Sequence, residues 1–307
     1  MTTLGSDNWI KYGWGTEMVS HYTIGDRLHI DFSNCTNKKN IPAMLASSLA
    51  VDDIVEHYPA PYTLMCSGGV DSQAMIWAWH NSKIPFTVLS VKYISDNIWF
   101  NEHDLRELNV FCELYNIPIR YETFDILSFL ENNLADICIK YDCDSPQIAT
   151  HIKITEFVSH GTVMFSGNTL PHSFSHTLLS MHRYGLSLEQ QTSIKIVPFF
   201  LCHTPSLAYS FIRPSDARIG YLGKVDTYIS NSFPVIPQAS SFNGFEELKK
   251  YYDQFFYNRI TPVQRLHYSS KPSNRTFDHL FRHPYQFLGN NKSRLPPKNI
   301  FSQQQDR

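Results

Sequence analysis

Six consecutive residues, Ser67-Gly68-Gly69-Val70-Asp71-Ser72, bring together two glycines, two hydroxyls and a carboxylate directly after the apolar run Tyr62-Thr63-Leu64-Met65-Cys66. An apolar run of this length reads as a buried strand, and the glycines as the turn that empties it into a helix beginning near Ser72. A strand–turn–helix of this kind offers unsatisfied backbone N–H groups and a positive helix end to an anion. Gly68 and Gly69 lack the Cβ that would hold a phosphate away from the chain. Ser67 and Ser72 add hydroxyl donors, and Val70 contributes its amide. Asp71 is suited to hold Mg²⁺, directly or through water. The alternative, a serine-capped Gly-Gly turn with Asp71 as an ordinary helix-start carboxylate, accounts for fewer of these residues.

The hexapeptide resembles the SGGxDS signature of the PP-loop ATP pyrophosphatases. These include the synthetase domains of asparagine and GMP synthetases, NAD synthetase, tRNA-thiolating enzymes and the deazaguanine nitrile synthase. The resemblance covers residues 45–215, with only residues 67–72 specific. It implies a doubly wound α/β fold, ATP and Mg²⁺ as cofactors, and cleavage of ATP between its α and β phosphates. The products are then an adenylated substrate and pyrophosphate. The nearest subtype is an asparagine-synthetase-like synthetase domain without its glutaminase. A glutaminase would need an N-terminal cysteine, whereas Met1-Thr2-Thr3 begins this sequence. Nitrogen is then expected from free ammonia, an amine substrate or a separate subunit. A Walker-type loop is absent, because Gly223-Lys224 lacks the upstream spacing and the following hydroxyl.

The family places further roles on this sequence. Backbone groups at the end of the second strand line its adenine pocket, here Val91-Lys92-Tyr93. A later strand ends in a glycine turn, here Phe165 to Thr169, which brings Gly167 and Asn168 to the nucleotide. Cleavage at the α-phosphate also calls for a cation over the phosphates. Lys92 and Lys153 are the better-placed lysines, each with the plain alternative of a surface residue.

Composition bounds these readings. A hydrophobic fraction of 42% with 18% charged residues is that of a globular protein, and the net charge of −2 argues against wholesale nucleic-acid coating. No apolar run approaches the ~20 residues of a membrane helix, and no signal-peptide pattern opens the chain, so no membrane role and a cytoplasmic location are expected. The six cysteines form no C-x-x-C pair, which removes zinc-ribbon and thioredoxin-like readings. Cys66 and Cys112 lie in apolar segments and read as core. Cys138 and Cys143 carry sulfur only if the enzyme thiolates a nucleic-acid base.

The elements that must position these residues alternate. Arg27–Phe32 reads as a strand, and 41–57 as a helix with Met44, Leu45, Leu49, Val51 and Ile54 available for one face. Pro59 and Pro61 end it. After the glycine turn come a helix over 73–81, a strand over 86–93, a helix over 103–115 and a strand over 119–124. The grammar repeats with a helix over 147–160, strands over 161–165 and 195–197, and an apolar helix reaching 212. This alternation predicts a mainly parallel sheet flanked by helices, and the resemblance implies that the α/β fold is doubly wound. A small N-terminal β-containing extension (1–58) precedes the 59–215 nucleotide domain, and a C-terminal helical or irregular extension (216–307) follows.

The polar segment from Asn168 to His176 and then His182-Arg183 carries none of the acidic residues that tRNA-directed relatives commonly have there. His172 and His176, spaced i, i+4, read either as ligands or as solvent-facing histidines. Ser145-Pro146-Gln147 is a substrate-side candidate on position alone. From Arg259 onward nine basic residues face only Asp278 and Asp306, interleaved with Phe277, Phe281, Tyr285 and Phe287. This is either a basic arm contacting nucleic acid or a tail wrapped on its own domain.

The leading expectation is adenylation of a carboxylate, amide or nucleobase carbonyl for attack by nitrogen. The alternatives are sulfur insertion into a nucleic-acid base and a nucleotide-binding subunit without catalysis. The partner is a small molecule or nucleobase, and a homo-oligomer is compatible with every feature above.

Overall fold

Apolar runs too short for helices and bounded by turns become the strands of one sheet in the computed structural model. It describes residues 10–14, 17–19, 27–30, 41–134, 136–137, 146–167, 189, 192–211 and 221–237. Near the amino terminus β1 (Ile10–Trp14), β2 (Glu17–Val19) and β3 (Arg27–Ile30) form an antiparallel sheet in the order β2-β1-β3. Then follow α1 (Ala43–His57), β4 (Tyr62–Met65), α2 (Val70–Ser82), β5 (Thr87–Ser95), β6 (Ile98–Trp99), α3 (Glu102–Leu114) and β7 (Ile119–Phe124). The second half holds α4 (Ile126–Asn132), α5 (Pro146–Ile154), a 3₁₀ turn over Thr155–Phe157, β8 (Thr162–Phe165) and β9 (Lys195–Val197). A second 3₁₀ turn over Phe200–Cys202 leads into α6 (Pro205–Ser210), and α7 (Tyr221–Ser230) comes last among the described elements.

The main sheet runs β7-β5-β4-β8-β9, and every one of these pairings is parallel. In chain order of the five strands this is 3-2-1-4-5, a doubly wound sheet whose winding reverses between β4 and β8. β6 adds an antiparallel hairpin to the end of β5 through Asp96 and Asn97, both at positive φ, the turn that matches strand twist. β4 and β8 are buried along their full length, which is why their sequences are apolar without alternation.

The two faces of the sheet carry different layers. Leu64, Val88, Met164 and Val197 face a cluster built from α1, α2, α3, α6 and α7, centred on Trp79, Phe111 and Tyr228. On the other face Phe124 packs with Tyr93, with Phe129 of α4 and with Phe157, while His151 of α5 stacks on Phe165. α1 and α7 thus share the core that covers this face of the main sheet, although the sequence reading put both in extensions. α1 also turns differently from its expected face. Ala43, Ala46, Ala50, Val51 and Ile54 are buried, whereas Leu45 and Leu49 are 49% and 48% exposed. Small side chains let α1 approach α2 closely, and the larger leucines are left outside. Asp53 of α1 meets His203 at 2.7 Å in the interior, tying α1 to the segment after β9.

A candidate nucleotide site at the sheet reversal

The loop 66–72 lies where the winding reverses, at the carboxyl end of β4 and beside the end of β8. Open α/β sheets bind ligands at such a point. Cys66 is held on both sides, its amide donating to Leu89 O at 2.9 Å and its carbonyl accepting from the Ser90 hydroxyl at 2.7 Å. The loop therefore starts from a fixed point. Gly68 turns it with φ +91, and a Cβ there would fall 2.8 Å from the Asp104 carbonyl carbon and closer still to its oxygen. The chain needs glycine at 68 so that the loop can pack against α3.

Exposure alternates along the six residues. Ser67 is exposed and Gly69 and Asp71 are partly so, while Gly68, Val70 and Ser72 are buried. The outward set is one hydroxyl, one glycine and one carboxylate. Gly69 is the N-cap of α2 and has no side chain to accept from the first turn, where the first intrahelical bond is Gln73 N–H to Gly69 O at 3.1 Å. Among the described residues a Cβ on Gly69 would meet only Ser67 Oγ, at an ordinary 3.6 Å. Gly68 is thus demanded by the protein, whereas Gly69 leaves room for something outside it. This is the cradle that an anion at a helix N-terminus requires.

Ser72 braces the loop from inside. Its Oγ accepts from the Ser67 amide at 3.2 Å and lies 3.3 Å from Ser67 Oγ and 3.5 Å from Ser166 Oγ. Ser166 follows β8, and its carbonyl accepts from the Leu201 amide at 3.1 Å. Hydroxyls from both sides of the reversal therefore meet. The Asp71 carboxylate accepts from the Tyr228 hydroxyl of α7. Its hard oxygen donors fit a Mg²⁺ held chiefly by phosphate oxygens and water. Among the described residues no group of three His, Cys, Asp or Glu side chains forms an all-protein metal cage.

The other sequence candidates fall in different places. Gly167 adopts φ +69, and a Cβ there would overlap the Phe199 ring, with Cε1 2.5 Å away; its glycine is needed for packing. Tyr93 is buried, and burial pushes its phenol well above the ordinary value. Its backbone groups are used as well. The amide donates to Asn101 Oδ1 at 2.8 Å and the carbonyl accepts from Phe100, while Val91 O accepts from Asn101 Nδ2 at 2.8 Å. Asn101 and the β6 hairpin thus occupy the backbone groups expected to line an adenine pocket. The Lys92 ammonium sits between two rings, 4.9 Å from the Trp99 centroid and 4.7 Å from that of Tyr121. Lys153 lies in the last turn of α5 and pairs with Glu156 at 2.6 Å. The adjoining 3₁₀ turn accepts from Arg120 at the start of β7, so Lys153 points to the amino ends of the strands, opposite the loop. Asn168, Cys138, Cys143, His172, His176, His182, Arg183 and the basic C-terminal segment lie outside the described residues.

Burial raises the Cys66 thiol well above its ordinary value and the Cys112 thiol to about 12, so both are core thiols without nucleophilic character. Three further residues were not singled out from sequence. Gln73, 0% exposed, donates to Gly68 O at 2.9 Å and exchanges hydrogen bonds with the Ile236 backbone. Its signal was a polar residue one turn before Ile76, on a stripe meant for the core. Ser166 carried a weaker one, standing directly after a buried strand. Tyr228 had none.

No protein-family model matches this chain, and no curated protein does. Solved structures similar to this chain include the following three. A predicted subunit of tRNA methyltransferase from Methanocaldococcus jannaschii is 14% identical, with TM-score 0.32, over 59% of this chain and 98% of that one. An NH3-dependent NAD synthetase from Campylobacter jejuni is 12% identical, with TM-score 0.34, over 77% and 94%. A U34-tRNA thiolase from Methanococcus maripaludis is 13% identical, with TM-score 0.31, over 73% and 78%. At these values they carry no argument about chemistry; the doubly wound α/β fold is read from the strand order itself.

Proposed function

We propose that this chain is an ATP-dependent adenylating enzyme of the PP-loop kind. It would split ATP into AMP and pyrophosphate and activate a carboxylate, amide or nucleobase carbonyl for attack by a nitrogen nucleophile. The observation that carries the reading is the Ser67–Ser72 loop at the sheet reversal, with Gly69 open to the outside and Gly68 closed against α3.

In this reading the first-turn amides of α2 and the Ser67 hydroxyl bind the departing β- and γ-phosphates. The Gly68–Asp104 contact and the Ser72 brace keep those donors in place before ATP arrives, so little reorganisation is needed at the moment of reaction. Asp71 holds Mg²⁺, which supplies charge neutralisation for the pyrophosphate. Ser166, across the reversal, stands on the side from which a second substrate would approach. The lysines contribute elsewhere: Lys92 packs in its aromatic sandwich and Lys153 pairs on the far side of the sheet.

Incubation with Mg·ATP and candidate acceptors, followed by ³¹P NMR, tests the reading. Pyrophosphate and AMP are expected, and ADP with phosphate as the only products would refute it. Asp71→Asn should abolish turnover while leaving the fold intact.

A further inference from the structure

The Asp71 carboxylate does not stand alone at the start of α2. Tyr228, seven residues into α7, donates its hydroxyl to Asp71 Oδ1. The two residues are 157 positions apart, so only the tertiary fold creates this bond. The Tyr228 side chain is 0% exposed and wedged between Phe211 and Phe233, with ring centroids 5.3 and 5.7 Å away. Those two rings also touch each other at 5.7 Å, closing an aromatic trio around the phenol. The backbone is arranged to make the trio. Ser232 takes φ +69, and the Phe233 amide bonds back to Tyr228 O at 3.0 Å, which folds Phe233 onto the tyrosine. A few residues later the Ile236 backbone exchanges hydrogen bonds with Gln73, one turn along α2 from Gly69. The 228–236 stretch is therefore fastened to the loop's own helix at two points.

We propose that Tyr228 is a positioning residue for Asp71: its hydroxyl fixes the rotamer of the carboxylate so that the metal-binding oxygens face the phosphates. The inference rests on the phosphate-and-magnesium reading of the loop given above. A carboxylate at a helix start has several staggered choices, and a buried donor with no freedom of its own selects one. A hydrogen bond to a charged group is also among the stronger ones in a protein. Tyr228 touches neither nucleotide nor metal in this role, and acts only through Asp71.

The experiment is calorimetric binding of α,β-methylene-ATP, whose scissile bridge cannot be cut, with Mg²⁺ and separately with EDTA. Wild type should bind more tightly with Mg²⁺ than without. Tyr228→Phe keeps the ring and its packing, and should weaken Mg²⁺-dependent binding about tenfold while changing binding in EDTA by less than about twofold. In an Asp71→Asn background the same change should add nothing, because the bond it removes has already lost its charged partner. A full Mg²⁺ gain in Tyr228→Phe would overturn the inference. Equal losses in Mg²⁺ and EDTA would do so too, since they mark a merely structural tyrosine, as would additive effects in the double variant. Wild type that fails to bind the analogue at all would instead remove the loop reading itself, and this inference with it.

Discussion

The two glycines of the loop make opposite demands, and substituting each with alanine separates architecture from ligand binding. At Gly68 the added methyl would lie 2.8 Å from the Asp104 carbonyl carbon and closer to its oxygen, and the residue would have to hold φ +91. The obstacle is backbone in the first turn of α3, which cannot swing aside as a side chain could. Positive-φ strain of about 1–3 kcal/mol adds to overpacking of about 1–3 kcal/mol, so Gly68→Ala should lose about 2–6 kcal/mol. At about 2–4 °C per kcal/mol for a domain of this size, the melting midpoint should fall by about 4–24 °C. At Gly69 the backbone is already at φ −59, ψ 159, where alanine is at ease, and the nearest atom is 3.6 Å away. The weaker N-cap and the stiffer unfolded chain nearly offset each other, so stability should move by less than about 1 kcal/mol. The methyl of Gly69→Ala would, however, occupy the mouth of the cradle. Loss of one charge-assisted amide–phosphate bond should weaken Mg·ATP binding about 10- to 100-fold. Scanning calorimetry and isothermal titration on both variants read the two effects. Wild-type ATP affinity in Gly69→Ala would refute the cradle, and wild-type melting in Gly68→Ala would refute the packing of the loop on α3.

Gln73→Leu removes the donor to Gly68 O and both bonds to Ile236, leaving buried backbone groups unmatched; a loss of about 2 kcal/mol in urea unfolding is expected, with weaker ATP binding as the loop loosens. Lys153→Ala should leave ATP affinity within about twofold of wild type, because its partner is Glu156 on the far side of the sheet, and exposed pairs contribute about 0–1 kcal/mol. Lys92→Met should cost about 1 kcal/mol of stability through its lost contacts with Trp99 and Tyr121, read by thermal melting, while ATP affinity measured by titration changes little. Burial lowers the His151 imidazole to about 4, below its unfolded value of 6.5, so the folded state takes up its proton later than the unfolded chain. Its contribution is complete above pH 6.5 and is lost as pH falls toward 4, by at most about 3 kcal/mol and less for the part of the ring that solvent reaches. Urea unfolding at pH 7 and pH 5 should show this loss, and His151→Phe should reduce it.

Local chemistry was legible in the sequence. The Ser67–Ser72 run announced its glycine turn and its carboxylate because those properties belong to single residues and their immediate neighbours. Strands β4 and β8 were visible for a similar reason: segments buried on both faces must be apolar throughout, and proline and glycine mark their starts. The parallel arrangement followed from their alternation with helices, and the double winding from the resemblance that the loop carries.

Only the tertiary structure decided which of those residues the protein uses for itself. Gly68 and Gly69 read alike in sequence, yet α3 stands against one, while among the described residues only the Ser67 hydroxyl comes near the other. Tyr93 and Val91 offered backbone groups to a ligand until Asn101 and Phe100, brought back by the β6 hairpin, took them. Lys153 was set on the wrong end of the sheet by the direction of α5, and Lys92 was drawn into an aromatic sandwich. Tyr228 reached Asp71 across 157 residues because the aromatic face of α7 is buried against α2, where Asp71 opens the helix. A sequence specifies what each residue can offer; which offers remain open to a ligand depends on what the folded chain packs against them.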